Sequence, residues 1–279
     1  MFSFLCRFFE KKSIDCFAPI PLSACRITKP YLLERVGITD GSVIVLAIPY
    51  FSLACMNPDR NLSAYAVSRD YHGFFKELFD ELLPELQTRF PQYRFAGFAD
   101  HSPIAETEAA SAAGLGVIGK NHLLITPKYS SYVFLGELVT DAPIPCQARA
   151  IAYCEDCGAC MMHCPAQSIG TCLSALTQKK SVLTPIEEKQ ILTHRSVWGC
   201  DICQEACPHT QKAMQSGTIF SPIPYFEDRA LPHLTPEALQ KMSEEEFYTR
   251  AYSWRGRSVI ERNLKLFEQT EQKGESKPC

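Results

Sequence analysis

The chain has 279 residues, 46% of them hydrophobic and 21% charged, with a formal net charge of −3. That is enough apolar material to bury a sizeable core in more than one domain. No basic block argues for nucleic acid by itself, and no apolar run approaches the roughly 20 residues that span a bilayer, so no membrane association is expected.

In chain order, residues 1–9 are apolar but short, are interrupted by Arg7 and run into Glu10, Lys11 and Lys12. This is the pattern of a docked first element rather than an export signal. Residues 43–49 (VIVLAIP) read as a buried strand, and residues 71–90 carry helical periodicity. A first domain, 1–150, is therefore expected to be α/β or α+β. At 100–106 (DHSPIAE), Ser102 and Pro103 suit an N-cap and a first helical position, leaving Asp100 just outside a helix start. On capping preference alone, Asp100 is a solvated carboxylate. The Gly114-Leu115-Gly116 turn lacks the spacing and strand context of a dinucleotide fingerprint. Residues 151–212 are cysteine-rich, with short helices between loops, and form a second domain. Residues 213–279 form a C-terminal extension that packs back on the core, with a Pro-rich crossing at 221–224 and a helix capped at Thr235 and Pro236.

The second domain carries Cys154-x2-Cys157-x2-Cys160-x3-Cys164-Pro165, then Cys172, then Cys200-x2-Cys203-x3-Cys207-Pro208. A [4Fe–4S] cube takes four thiolates. Three come from one Cys-x2-Cys-x2-Cys loop, and the cysteine before Pro reaches the other cluster. Cluster one then takes Cys154, Cys157, Cys160 and Cys207. Cluster two takes Cys164, Cys200, Cys203 and one thiolate missing from the second run, for which Cys172 is the natural candidate. A zinc site of four cysteines is the competing reading. The third cysteine at the same spacing, and Pro after both terminal cysteines, favour iron–sulfur. His163 and His209 flank these cysteines and are not read as ligands, because eight thiolates saturate two cubes. Cys6, Cys16, Cys25, Cys55, Cys146 and Cys279 show no pairing pattern and read as buried thiols, and the Met161-Met162 pair reads as packing. A reducing compartment, the cytoplasm, is expected.

These segments resemble the epoxyqueuosine reductase family, cobalamin-dependent iron–sulfur enzymes of queuosine biosynthesis. The resemblance runs from about Arg26 to Asn263. It rests on 45–50 (VLAIPY), 69–72 (RDYH), the Asp100 segment, 119–121 (GKN), 131–138 (SYVFLGEL), both cysteine runs, 172–177 (CLSALT), 199–204 (GCDICQ) and the tail 254–257 (WRGR) with Arg262 and Asn263. The resemblance implies an α+β chain with a cobalamin-binding domain of the nitroreductase and reductive-dehalogenase kind joined to a two-cluster ferredoxin-like module. It also supplies Cys172 as a ligand. Matched residue by residue, Asp100 falls on the family's proposed general acid. Arg26, Ser63, Leu124 and Leu135, with Asp100, fall at positions that hold the cobalamin, several through backbone atoms. The implied partners are tRNA and a low-potential electron-donor protein, and the implied state is a monomer.

Full-length members continue into a helical-repeat domain that helps grip tRNA, and this chain is expected to be a short form without it. Arg250, Arg255, Arg257, Arg262 and Lys265 make the tail locally basic, which suits phosphate contacts or a solvated helix face equally. Removing an epoxide oxygen takes two electrons and protonation of the departing oxygen, so one pocket must hold a reductant and an acid. Asp100 in that role calls for a raised pKa, which an apolar pocket supplies by disfavouring the anion. His72 reads equally as a cofactor contact or a helix-start histidine. His101 reads as a loop histidine that nothing orders. Two other functions fit fewer of these pieces: a corrinoid reductase of a small molecule, similar to reductive dehalogenases, and a ferredoxin-like electron carrier whose first domain only docks.

Overall fold

The computed structural model describes residues 1–272, so Cys279 lies outside the described residues. The chain packs as two compact units. The first comprises Met1–Tyr50, Tyr71–Gly158 and Cys207–Pro224, and the second comprises Phe51–Asp70, Ala159–Ala206 and the chain from Tyr225 onward. These units cross the boundaries at 150 and 212 drawn from composition. Composition follows the order of the chain, whereas packing joins stretches that are far apart in it.

The strands of the first unit, in chain order, are β1 (Phe17–Pro21), β2 (Ser42–Pro49), β3 (Phe95–Phe98), β4 (Val117–Ile118), β5 (Leu124–Ile125) and β6 (Val133–Thr140). Four of them form an antiparallel sheet in the order β1-β2-β6-β3, while β4 and β5 pair as a small ribbon. Strand β2 is buried along its whole length, as its unbroken apolar run requires. One face of the sheet receives the Tyr71–Arg89 helix. The approach is close enough that a Cβ at Gly136 on β6 would stand 2.3 Å from the Phe75 ring, which is why that position has no side chain. The other face, carrying Val43, Val45, Ala47 and Val139, packs with Ala109 and Ala110 of the Glu106–Ala112 helix and with Leu33 and Ile104. Burying the valine, leucine and isoleucine side chains among these stabilises the unit by about 1.5–3 kcal/mol each relative to exposure. The opening residues form the Phe2–Lys11 helix and bury Leu5, Phe8 and Phe9, as a docked element should.

The expected N-cap at Ser102 is overturned. The helix begins at Glu106 with Ala105 as its cap residue and no side-chain cap. Ser102 is buried instead, its Oγ accepting the Ile104 N–H at 3.1 Å while its hydroxyl donates to Glu137. A competing buried acceptor has drawn the serine away from helix capping. Asp100 consequently sits in a turn with φ of 62°, in the left-handed region.

The second unit is made of short helices around a core of Leu173, Leu183, Ile191 and Leu266. Thr235 caps the Pro236–Lys241 helix by accepting the Ala238 N–H at 3.1 Å, as its sequence predicts. Within the Arg257–Gln272 helix, Asn263 is fully buried. Its Nδ2 donates to the carbonyls of Thr177 and Val197, both at 2.8 Å. One amide therefore ties the segment after Cys172 to the segment before Cys200. Arg257 donates to the carbonyls of Leu239 (2.7 Å) and Met242 (3.1 Å), and the buried Arg250 donates to that of Arg229 at 2.7 Å. These tail arginines satisfy carbonyls rather than forming the solvated basic face that the sequence suggested. No helix among the described residues is long and apolar enough to cross a membrane.

Candidate active site

In the first unit, Asp100, Glu106, Leu124, Leu135, Tyr71 and Phe134 line one cavity of about 160 Å³. That volume is room for roughly five waters and is below the about 300 Å³ at which whole-ligand pockets begin, so it suits a small ring rather than an entire cofactor. The structure thus brings together three of the residues expected to touch cobalamin: Asp100, Leu124 and Leu135. Leu135 lies on β6 opposite Ala47, and Leu124 on β5 opposite Ile118, so regular strand pairing fixes both. The Tyr71 and Phe134 rings stack with centroids 4.2 Å apart and planes 13° from parallel, giving the cavity an aromatic wall.

Arg26 is not in this lining. Its largely exposed guanidinium is paired with Glu108 in a two-pronged contact of 2.7 and 2.8 Å. Ser63 belongs to the second unit, where its N–H donates to the Trp198 carbonyl at 2.7 Å, its carbonyl accepts the Ala66 N–H at 2.8 Å and its hydroxyl donates to Asp201.

The Asp100 side chain is 69% exposed and lies 3.9 Å from His72 Nε2. The burial expected at Asp100 falls instead on two carboxyls that sequence reasoning missed. Glu106 accepts the Asp100 N–H at 3.2 Å, which holds the positive-φ turn in place. Glu137, on β6 opposite Val45, is fully buried. Burial first, and then the charge of Glu106, push the Glu137 carboxyl well above the ordinary carboxylate value. Burial also raises Glu106, against the lowering effects of the Asp100 N–H, the Glu137 carboxyl and Lys29. A signal was present in the sequence: Glu137 is the lone charge in an otherwise apolar strand, FLGELV. His101 is not the unordered loop residue expected, since Lys29 Nζ stands 3.2 Å from its Nδ1 and the Tyr31 hydroxyl 2.9 Å from its Nε2.

Five of the eight candidate cluster cysteines, Cys160, Cys164, Cys172, Cys200 and Cys203, belong to the second unit. Cys172 is the N-cap residue of the Leu173–Thr177 helix. Cys200 and Cys203 bracket the start of the Ile202–Glu205 helix, next to Gly199 at φ of 76°. A side chain at Gly199 would meet the Ser63 Cβ at 2.4 Å, so a close backbone approach sets where Cys200 begins. Burial pushes the Cys200 thiol up to about 12, against the lowering effect of the Ile202 N–H and with the charges of Asp201, Cys203 and Cys172. Asp201 is itself buried, accepting the Ala64 N–H at 2.7 Å and pairing with Arg60.

In the first unit, Cys154 is anchored by its N–H to the Ile118 carbonyl at 3.0 Å, and the buried Cys207 starts the Pro208–Gln215 helix. That helix is held in the unit by a 2.7 Å contact between the hydroxyls of Thr210 and Ser130. Among the described residues, none of these eight cysteines is joined in a disulfide. Among the described residues, no three His, Cys, Asp or Glu side chains converge on a single ion. Met161 and Met162 are exposed rather than packed.

A family model described as epoxyqueuosine reductase QueG, DUF1730, matches residues 37–101. The epoxyqueuosine reductase of Gloeobacter violaceus is 33% identical over 218 residues, covering 74% of this chain and 68% of that protein. The chain belongs to the epoxyqueuosine reductase family. The reductase of Listeria monocytogenes is 34% identical over 206 residues, covering 70% of this chain and 53% of its own length. The chain thus spans about half the length of the first curated epoxyqueuosine reductases it matches. A solved epoxyqueuosine reductase bound to an epoxyqueuosine-modified tRNA-Tyr stem loop shares the fold, with a TM-score of 0.73 at 24% identity over 95% of this chain and 80% of that one.

Proposed function

We propose that this chain reduces the epoxide of epoxyqueuosine in tRNA to the alkene of queuosine, using cobalamin supplied with electrons by two [4Fe–4S] clusters. The observation that carries the reading is the convergence of Asp100, Leu124 and Leu135 on one small cavity in a member of this family. The residues present are of the chemical kinds that both cofactors need. Leu124 and Leu135 offer apolar contact at the wall where a corrin edge would be held. Cys164, Cys172, Cys200 and Cys203 are the thiolate set for one cube, and Cys154, Cys157, Cys160 and Cys207 for the other. When bound, cobalamin supplies a low-valent cobalt able to reduce the epoxide carbon, and the clusters supply electrons singly.

The protein's own part is acid and position. Asp100 is presented to the cavity by a left-handed turn that the Glu106 carboxyl fixes, and it protonates the departing oxygen. The stacked Tyr71 and Phe134 rings give one wall the flat, apolar character that suits a small ring. Arg255, stacked 3.7 Å over the 59%-exposed Trp254, offers an RNA base a stacking platform. Electrons would come from a low-potential donor protein, and the cytoplasm is the compartment this reading assigns.

The test is anaerobic reconstitution with iron, sulfide and cobalamin, then reduction and mass-spectrometric detection of queuosine formed in epoxyqueuosine-containing tRNA. Product is expected from the native chain, and Asp100→Asn should lose turnover with its clusters intact. Bound corrin and clusters without product would move the substrate elsewhere. Failure to bind corrin would favour an electron carrier.

A further inference from the structure

The reaction has a proton requirement that Asp100 alone does not meet. Converting an epoxide to an alkene breaks two C–O bonds, forms one C=C bond and releases the oxygen as water, consuming two electrons and two protons. Asp100 carries at most one of those protons.

The second carboxyl system lies in the same wall. Glu137 is two residues along β6 from Leu135 and therefore points to the same face of the sheet as that cavity residue. Its Oε1 accepts the Ser102 hydroxyl, whereas Oε2 is buried and has no hydrogen-bond donor. Glu106 opens the helix that packs on β6, and its carboxyl is the acidic group that acts on Glu137. Two carboxylates are both acceptors, so a hydrogen bond between them forms only when one carries a proton. Oε2 of Glu137, lacking a donor, is then itself the donor. Glu106 in turn lines the cavity and accepts the Asp100 N–H. The other titratable groups around the pair are Lys29, Asp100 and Cys25. Lys29 favours ionisation, Asp100 opposes it at Glu106, and burial pushes the Cys25 thiol up to about 12, so that it stays neutral.

We propose that Glu137 and Glu106 form the second proton source of this site. Glu137 stores a proton in the sheet and Glu106 passes it into the cavity, while Asp100 supplies the other. This rests on the epoxide-reduction reading above. After turnover the pair and Asp100 are both one proton short, and the exposed Asp100 carboxyl is the route by which solvent restores them. The electrons come from the low-potential donor through the cofactors, so the pair exchanges protons only.

The test uses the reconstituted full chain and two readouts. Infrared difference spectra of the resting enzyme at neutral pH should contain a protonated-carboxyl C=O band that disappears in Glu137→Gln and survives in Asp100→Asn. The glutamine keeps the shape and donates an N–H to Glu106, so the fold is retained. In turnover, Glu137→Gln should lower kcat about tenfold or more with KM little changed, and its activity should fall off at lower pH than that of the native enzyme. Glu106→Gln should lower kcat as well. An active native enzyme without the band, or a Glu137→Gln enzyme with native kcat and pH profile, overturns the proposal. A chain that shows the band but reduces no epoxide overturns the delivery step together with the function on which it rests, so the two failures are distinguishable.

Discussion

Asn263→Ala tests whether cluster two depends on a single buried amide. The native side chain donates two hydrogen bonds of 2.8 Å, to the carbonyls of Thr177 and Val197, from a fully buried position. Alanine leaves both carbonyls without that donor, and each loss costs about 1–3 kcal/mol, so about 2–6 kcal/mol is expected in total. Both tryptophans of the chain, Trp198 and Trp254, lie in the second unit, so their fluorescence follows the unfolding of that unit alone. With a urea slope of about 2 kcal/mol/M, the midpoint should fall by about 1–3 M. The same variant should bind less iron on reconstitution, because Thr177 and Val197 belong to the segments that carry Cys172 and Cys200. Loss of one cube of two would remove about half the iron. Asn263→Asp, which replaces the donor by an acceptor facing two carbonyls, should be at least as damaging. A midpoint within 0.2 M, roughly 0.4 kcal/mol at the same slope, with full iron content would refute the clamp.

Cys172→Ala should lose about half of the iron and leave the other cluster's spectrum, whereas full iron content would assign the eighth ligand elsewhere. Arg255→Ala should weaken binding of a modified anticodon stem loop and lower its salt slope by about one, with little change in stability. Arg257→Ala should do the reverse, because Arg257 serves the carbonyls of Leu239 and Met242, and the opposite pattern would place the RNA contact at Arg257. Stability should also depend on the carboxyl pair. Glu137 and Glu106 are both raised above 4.5, so the folded chain binds more protons than the unfolded chain above that pH. Their contribution is fully present below about 4.5 and is lost as pH rises through the raised folded values. Glu137→Gln should therefore flatten the decline of the denaturation midpoint across this window, and an unchanged slope would show that other groups carry the linkage.

The legible parts of this molecule were those written in local pattern. An unbroken apolar run made β2, helical periodicity made the Tyr71–Arg89 helix, and Thr235 capped its helix as a Thr-Pro-Glu-Ala sequence should. Asp100, Leu124 and Leu135 were found through resemblance rather than pattern, and the structure does place them around one cavity. What local pattern did not reveal depends on partners distant in the chain. Ser102 reads as an N-cap until Glu137, 35 residues away, takes its hydroxyl. Arg257 and Arg262 read as surface charge until the carbonyls they serve are seen, at Leu239, Met242, Lys179 and Ser181. The contact of Glu106 with a carboxyl on a central strand has no signature in spacing. Domain limits failed to follow composition for the same reason, because residues 51–70 pack with segments that begin 89 residues beyond their end.

The Asn263 clamp also bears on the order of events during synthesis. The chain leaves the ribosome from its N-terminus, so Cys164, Cys172, Cys200 and Cys203 emerge before the amide that braces two of their segments. Until residue 263 is free, these thiols hang on unbraced loops, open to oxidation or to stray metal. On the cluster reading proposed above, iron and sulfide would be installed only after the Arg257–Gln272 helix has docked, and a nascent chain stalled before that point would be a target for clearance rather than for cofactor loading.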